Sequence, residues 1–88
     1  MNYSIYILYS LKDKKLYVGC TRDIESRIKK HNDGNVVSTK NRRPFILIYS
    51  EDFQDKADAF NRERFLKSLW GARFKKKILK EFLQKNRG

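Results

Sequence analysis

Residues 3–19 have the sequence YSIYILYSLKDKKLYVG, and this stretch decides the fold. Two runs rich in β-branched and aromatic residues, 3–9 and 16–19, flank a polar segment at 12–15. This pattern is typical of a β-hairpin with its turn in the polar segment. Side chains alternate between the two faces of a strand, so the first run divides into two sets: Tyr3, Ile5, Ile7 and Tyr9 on one face, and Ser4, Tyr6 and Leu8 on the other.

After the hairpin, apolar residues recur at helical spacing over residues 23–32 (DIESRIKKHN). Thr21 or Asp23 can accept the first backbone N–H groups of this helix, and Gly34 is a suitable stop. Residues 36–43 (VVSTKNRR) combine small polar and basic residues, which predicts a basic loop. The first half of the chain is therefore predicted as strand, strand, helix and loop.

The second half adds one strand and two helices. Residues 45–49 (FILIY) have the composition of a third strand. Helical patterns follow at 57–70 and 72–83, and Gly71 is expected to separate them. The order ββαβαα predicts an α+β fold in which a small three-stranded sheet is flanked by helices. The chain contains no linker or repeat, so residues 1–88 are expected to form one domain.

Two charged residues fall on the apolar stripes of these helices. In the first helix the stripe is Ile24, Arg27, Ile28 and His31, and in the second it is Ala59, Glu63, Leu66 and Trp70. Arg27 can extend its guanidinium to water, and Glu63 can pair with Lys67 four residues on. The two can also pair with each other. A buried charge is costly unless it is compensated, so together they suggest a polar site between two helices.

The composition indicates a folded protein that binds a polyanion. Lys and Arg number 21 against 10 acidic residues, giving a net charge of +11 and a pI near 10.0. The phosphate backbone of nucleic acid is the simplest partner, with an acidic membrane surface as the alternative. We find no transmembrane run and no signal peptide, which makes a cytoplasmic location the default expectation. The single cysteine, Cys20, excludes an internal disulfide.

Several short motifs occur in an order that resembles one nuclease family. They are Ser4-Ile5-Tyr6, Tyr17-Val18-Gly19, Arg27, His31-Asn32, the segment 38–44 (STKNRRP) and Glu63. Together they span nearly the whole chain and resemble the GIY-YIG nucleases, most closely the small stand-alone bacterial members. These in turn are similar to the N-terminal catalytic domain of the excision-repair endonuclease and to structure-selective junction nucleases.

The resemblance implies a catalytic role for five residues. Glu63 would hold one divalent cation, Mg²⁺ or Mn²⁺, through a carboxylate oxygen. Tyr6 and Tyr17 would flank the site, with Tyr17 as the general base or water-positioning group. Arg27 would donate to the phosphate oxygens as charge develops in the transition state. His31 would orient water or Tyr17, although a structural, hydrogen-bonded histidine is an equal alternative.

The basic segments supply the candidate nucleic-acid contacts. The loop residues expected to bind the DNA backbone are Ser38, Thr39, Lys40, Arg42 and Arg43. Lys75 and Lys76 are expected to add to the positive field. Two residues depart from the family pattern: Ser4 replaces the first glycine, and Cys20 replaces a lysine that lies near the phosphate in the excision-repair relatives.

These patterns lead to one interpretation and two alternatives. The first is a Mg²⁺-dependent endonuclease that hydrolyses DNA phosphodiesters, with DNA repair or recombination as its process. The second is a DNA- or RNA-binding module of the same fold without catalysis. The third is a basic RNA- or ribosome-associated protein, which would explain the charge but not Glu63 on an apolar stripe. A protein partner that targets the domain is compatible with all three.

Overall fold

The computed structural model describes residues 2–86, in which a three-stranded antiparallel sheet has its first strand at the centre. The strands are β1 (Tyr3–Ser10), β2 (Leu16–Thr21) and β3 (Phe45–Phe53), in the order β2-β1-β3. Because β1 pairs on both edges and is covered on both faces, residues 5–10 are all buried. The predicted α+β class and the order ββαβαα are confirmed.

The two faces of β1 divide as the alternation predicts. The face that supports the second and third helices forms a cluster of buried residues: Ile5, Ile7, Val18, Ala59 and Leu66. The opposite face, beneath the first helix, buries Tyr6, Leu8 and Phe45. Hydrophobic side chains on both sides make the sheet the middle layer of the fold.

The first helix, α1 (Ile24–Asn32), is fixed at both ends by side chains. Asp23 caps it by accepting a hydrogen bond from the Ser26 N–H at 3.2 Å. At the other end, Asn32 both donates to the Phe45 carbonyl at 3.1 Å and accepts from the Phe45 N–H at 2.7 Å. Gly34 follows at φ 83°, a conformation that favours glycine. These bonds hold α1 against the start of β3.

The third strand is longer than the sequence predicts. It continues past Tyr49 to Phe53, because β1 offers partners as far as Tyr3, opposite Phe53. Asp52 in this extension also has a partner, since the Ser4 hydroxyl donates to its carboxylate at 2.6 Å. A serine at the position of the usual glycine is thus accommodated in β1 and adds a cross-strand hydrogen bond.

The boundary between the last two helices differs from the prediction. The helices are α2 (Lys56–Lys67) and α3 (Leu69–Lys85), and they separate at Ser68 rather than at Gly71. The Ser68 hydroxyl donates to the Phe65 carbonyl at 2.6 Å and so satisfies the end of α2. Gly71 lies buried in the first turn of α3, where a Cβ would overlap the Phe65 carbonyl oxygen. Trp70 therefore lies outside the α2 stripe, and 83% of its surface is exposed.

The third helix packs on the sheet through aromatic contacts. The Phe74 ring meets Tyr49 edge-on, with centroids 5.4 Å apart, and Phe82 contacts Tyr9 at 6.0 Å. A short 3-10 turn, Lys40–Arg42, lies between α1 and β3. Among the helices within residues 2–86, none combines the length and apolar character needed to cross a membrane.

Candidate functional site

Beneath α1, three buried polar side chains form a chain of hydrogen bonds. The Tyr6 hydroxyl lies 3.1 Å from His31 Nε2, and His31 Nδ1 lies 2.8 Å from Thr39 Oγ1. All three residues are 0% exposed. At the outer end, Arg27 Nε donates to the Tyr6 hydroxyl at 3.4 Å. Strand β1, helix α1 and the following loop thus each contribute to one network.

The hydrogen-bond donors in this network follow a single direction. The Thr39 hydroxyl donates to the Val36 carbonyl at 3.4 Å, so it accepts from His31 Nδ1–H. His31 Nε2 is then an acceptor and takes the Tyr6 proton, while the Tyr6 oxygen accepts from Arg27. This arrangement gives every group a partner with His31 neutral. The opposite tautomer would leave the Tyr6 proton without an acceptor.

The electrostatics agree with this protonation. Burial lowers the pKa of His31, and the nearby Arg27 charge lowers it further. Burial raises the pKa of Tyr6, and the hydrogen bond from Arg27 opposes that rise only in part. The hydrogen bond to Tyr6 is the main cause that raises the pKa of Arg27. At neutral pH the network therefore holds a neutral phenol, a neutral imidazole and a charged guanidinium.

Strand β2 approaches Tyr6 so closely that only glycine fits. Gly19 is the partner of Tyr6 in the β1–β2 pairing, and a Cβ there would overlap the Tyr6 hydroxyl. The absence of a side chain at Gly19 thus leaves the space that the hydroxyl occupies.

Tyr17 lies at the outer side of the same network. Its ring is half-buried and meets His31 edge-on, with centroids 5.0 Å apart, and lies 6.4 Å from the Tyr6 ring. Tyr17 also contributes to the raised pKa of Arg27, so its hydroxyl lies near the guanidinium. Because Tyr6 is completely buried, Tyr17 is the tyrosine of the two that a ligand from solvent can reach.

Two adjacent surface hollows meet at the end of β2. One contains Arg27, together with Asp23, Ser26 and Lys30, and the other contains Glu63, together with Tyr3, Lys56 and Phe60. Both are lined by Cys20, Thr21 and Arg22. After burial, the Glu63 charge is the main cause that raises the pKa of the Cys20 thiol, which places the carboxylate near this shared wall. Arg27 and Glu63, from opposite faces of the sheet, thus flank one strand end.

The Glu63 carboxylate is paired with a lysine. Its Oε2 accepts from Lys67 Nζ at 2.8 Å, in an i,i+4 pair on α2. The Glu63 side chain is 15% exposed and that of Lys67 is 53% exposed. Of the two pairings that the sequence allows, residues 2–86 show the one with Lys67 rather than the one with Arg27. An i,i+4 pair stabilises a helix by only about 0.2–0.5 kcal/mol, which holds the half-exposed Lys67 weakly to the largely buried Glu63 carboxylate.

The residues present suit an oxygen-preferring cation such as Mg²⁺ or Mn²⁺ better than zinc. Within residues 2–86, no three His, Cys, Asp or Glu side chains lie close enough to hold a metal by themselves. Mg²⁺ commonly keeps several waters and binds through one or two carboxylates together with substrate phosphate. The single Glu63 carboxylate fits that mode of coordination. It does not fit zinc, which requires three or four protein ligands.

Thr39 is part of the buried network rather than of the exposed loop. Its hydroxyl is committed to His31 and Val36, and the side chain does not reach solvent. This corrects the expectation that Thr39 contacts nucleic acid. Its neighbours Ser38 and Lys40 are exposed, as is Arg43.

Arg42 is also committed to structure. Its Nε donates to the Asp13 carboxylate at 2.6 Å, and its Nη2 donates to the Leu16 carbonyl at 3.3 Å. The hydrogen bond from Arg42 is the main cause that lowers the pKa of Asp13 to about 2. The buried Ser10 hydroxyl donates to the Arg42 carbonyl at 2.6 Å. Arg42 therefore joins the loop to the hairpin turn, and its expected contact with phosphate stays a prediction.

The basic residues of α3 lie apart from these hollows. Lys75 is half-buried, and Lys76 lines a separate groove on α3 with Leu79, Leu83 and Gln84. Within residues 2–86, the structure brings neither lysine into the hollows of Arg27 and Glu63.

Comparison with known proteins identifies the family. The model of the GIY-YIG catalytic domain matches residues 2–77. A UPF0213 protein of Clostridium perfringens is 46% identical over 70 residues, covering 78% of this chain and 73% of that protein. The UPF0213 protein YazA of Bacillus subtilis is 41% identical over 69 residues, covering 77% and 69%. The solution NMR structure of a UPF0213 protein from Bacillus halodurans matches with a TM-score of 0.55 and 37% identity, covering 91% and 84%.

The chain belongs to the GIY-YIG catalytic domain family. The relatives it resembles are UPF0213 proteins, the small stand-alone bacterial members, so the resemblance found in the sequence is confirmed. The family supports a nuclease-like role on nucleic acid, and GIY-YIG nucleases generally use divalent metals.

Proposed function

We propose that this protein is a divalent-metal-dependent endonuclease that hydrolyses DNA phosphodiesters. One observation carries the proposal: Arg27 donates to the buried Tyr6–His31 pair, Tyr17 packs against the same pair, and the hollow containing Glu63 adjoins that of Arg27. A phosphate at the end of β2 would lie between a fixed guanidinium and a carboxylate. The net charge of +11 favours the approach of a polyanion to this site.

Arg27 binds the scissile phosphate. Its Nε–H is engaged by Tyr6, and Tyr6 is held in turn by His31, so the plane of the guanidinium is fixed before substrate arrives. The terminal Nη groups are the part that meets the phosphate, in a hollow shared with Lys30. Donors fixed in advance stabilise the charge that develops in the transition state, which is commonly a large part of the rate enhancement.

The two tyrosines have different roles. The Tyr6 hydroxyl donates to His31 Nε2, and the pKa of Tyr6 is raised, so the phenol stays protonated. Tyr6 therefore positions Arg27 and does not take a proton from water. Tyr17 is the more exposed and orients the attacking water through its hydroxyl. His31 is buried and acts through Tyr6 rather than on water directly.

Glu63 would hold Mg²⁺ or Mn²⁺ once Lys67 gives up its hydrogen bond. The ion, when bound, neutralises negative charge on the phosphate and polarises its oxygens. The exposed loop residues Ser38, Lys40 and Arg43 contact the DNA backbone on either side of the cleaved bond. Lys75 and Lys76 add long-range attraction only. The resemblance to excision-repair and junction nucleases favours DNA repair or recombination as the process.

A DNA- or RNA-binding module of the same fold is the second candidate. It is favoured by the ion pair between Glu63 and Lys67 and by Cys20, which stands where excision-repair relatives carry a lysine. On this alternative, Glu63 only stabilises α2, and the hollows bind phosphate without hydrolysing it.

A charge-neutral substitution of Glu63 distinguishes the two candidates. Glu63→Gln should lower cleavage by about 100-fold or more while leaving DNA binding in EDTA equal or stronger, because the amide keeps the shape and removes a negative charge near the phosphate. The measurement is cleavage of end-labelled branched, single-stranded and duplex DNA with Mg²⁺, with Mn²⁺ or with EDTA. Glu81→Gln is the matched control, since Glu81 is exposed on α3 and outside the hollows.

Two outcomes would overturn the proposal. The first is full cleavage by a folded Glu63→Gln protein, which would exclude Glu63 as the metal ligand. The second is wild-type protein that binds DNA but cleaves none of the three substrates with either metal, which would establish the binding module.

A further inference from the structure

Within residues 2–86, the start of α3 carries the most exposed large apolar side chains besides Val37. Leu69 is 92% exposed and Trp70 is 83% exposed, and Trp70 is the only tryptophan in the chain. Tryptophan is on average among the more buried residues of folded proteins. An exposed pair of this size indicates an interaction surface.

The position of this pair is fixed by the fold. Gly71 packs against the Phe65 carbonyl and the Leu66 Cα, which holds the first turn of α3 tightly on the end of α2. Successive side chains of a helix are about 100° apart, so Trp70 and Leu69 lie to the side and back of the buried Gly71. The indole is therefore presented to solvent by a rigid turn.

The surroundings of the pair are basic. Leu69 and Trp70 line a groove with Arg73, and the first turn of α3 contains no acidic residue. The last turn of α2 adds Arg64 and Lys67. This charge complements a polyanion and opposes a second copy of a chain that carries +11.

An aromatic ring in a positive field is the arrangement by which proteins hold single-stranded nucleic acid. Basic residues follow the backbone, and bases stack on the aromatic side chain. The faces of paired bases inside a duplex are already stacked on their neighbours, so an exposed indole selects bases that are unpaired. Lys67, which bonds Glu63, precedes Trp70 by only three residues, so this surface follows the candidate active site directly along the chain.

We propose that Trp70, with Leu69 and Arg73, is a stacking platform for an unpaired base of the DNA substrate. The platform rests on the proposed nuclease function and deepens it, because it names DNA that contains unpaired bases as the preferred substrate. The protein accordingly binds single-stranded or branched DNA more tightly than continuous duplex.

The emission of the single tryptophan reports on the platform directly. Full-length protein is titrated in EDTA, so that no cleavage occurs, with a single-stranded oligonucleotide and with a blunt duplex of equal phosphate number. The single strand should quench Trp70 emission and protect it from acrylamide. The saturating duplex should leave the indole accessible to acrylamide.

Substitution provides the second measurement, by anisotropy of labelled DNA. Trp70→Ala should weaken binding to the single strand by about 5- to 150-fold, the usual range for one stacked base, and leave duplex binding unchanged. Trp70→Phe should retain part of the affinity because it keeps an aromatic face. Leu83→Ala, which removes a partly exposed apolar residue at the far end of α3, is the control and should have no effect.

Each contrary result has a distinct meaning. Equal losses on the two DNAs, or no loss with Trp70→Ala, would overturn the platform while leaving cleavage and its dependence on Glu63 intact. Emission that changes with protein concentration in the absence of DNA would overturn it in favour of self-association. If Trp70→Ala weakens binding to the single strand only, and the wild-type protein cleaves none of the DNAs, the platform would stand and the nuclease function would be rejected.

Discussion

The two faces of the sheet bury different kinds of side chain. The face beneath α2 and α3 is an apolar cluster that includes Ile5, Ile7 and Leu66. The face beneath α1 is smaller and places the buried polar residues His31 and Thr39 against Tyr6. One face therefore resembles an ordinary core, and the other combines a core with a hydrogen-bonded network.

The two faces therefore contribute differently to the stability of the fold and to the geometry of the candidate site. Burying a Leu or Ile side chain contributes about 1.5–3 kcal/mol, whereas an intramolecular hydrogen bond contributes only about 0.5–1.5 kcal/mol net. The network adds little stability, but its directional bonds fix where the Arg27 guanidinium lies. We expect the apolar face to set the free energy of unfolding and the network face to set the activity.

The largest effect is expected from Leu66→Ala. Leu66 is 0% exposed, and its truncation should lower the free energy of unfolding by about 2–5 kcal/mol. Cleavage per folded molecule should be nearly unchanged. Thr39→Val should affect activity more than stability: it leaves His31 Nδ1–H without its acceptor, which costs about 1–3 kcal/mol, and it lowers cleavage by displacing Tyr6 and Arg27. Urea unfolding and initial cleavage rates measure the two quantities.

If Leu66→Ala prevents folding, Ile7→Val tests the same face with a cost of about 0.5–1.5 kcal/mol. Equal loss of activity per folded molecule in the Leu66 and Thr39 variants would contradict the division between the faces.

A second pair of variants adds one methyl group on each face. Gly19→Ala should displace the Tyr6 hydroxyl and lower cleavage by about 100-fold, as expected for a misplacement near 1 Å. Gly71→Ala meets the backbone of Phe65 and Leu66, which cannot move away as a side-chain end can. It should lower the free energy of unfolding by about 1–3 kcal/mol, with little change in the cleavage rate at saturating DNA. A Gly19→Ala protein that cleaves normally would show that the position of Tyr6 does not matter.

The sequence predicts what depends on local periodicity. Period-two alternation in β1 separates Tyr6 from Ile5 and Ile7, and helical spacing identifies Arg27 and Glu63 as exceptions. Both signals arise within one element, so no knowledge of the packing is needed.

The sequence does not predict contacts between different elements of the fold. Gly71 has the appearance of a helix breaker, but its contact with Phe65 makes it the buried start of α3. Thr39 lies in a basic loop, and nothing local indicates that its hydroxyl bonds His31, eight residues earlier. Arg42 pairs with Asp13, 29 residues away. Such contacts are determined by the assembled fold rather than by local composition.

The smallest effect, and the most specific to the network face, is a dependence on pH. Burial and Arg27 hold the pKa of His31 below its ordinary value of 6.5, so the unfolded chain binds more protons than the folded protein in this range. The stabilisation from neutral His31 is complete above pH 6.5 and is lost as the pH falls towards the folded value. One proton limits the slope to about 1.4 kcal/mol per pH unit.

Urea unfolding between pH 7.5 and 5.5 should show this slope in the wild type and in Ile7→Val, which alters the other face, but not in His31→Gln. Because the chain has a single histidine, equal slopes in all three proteins would mean that His31 is not held neutral by the network.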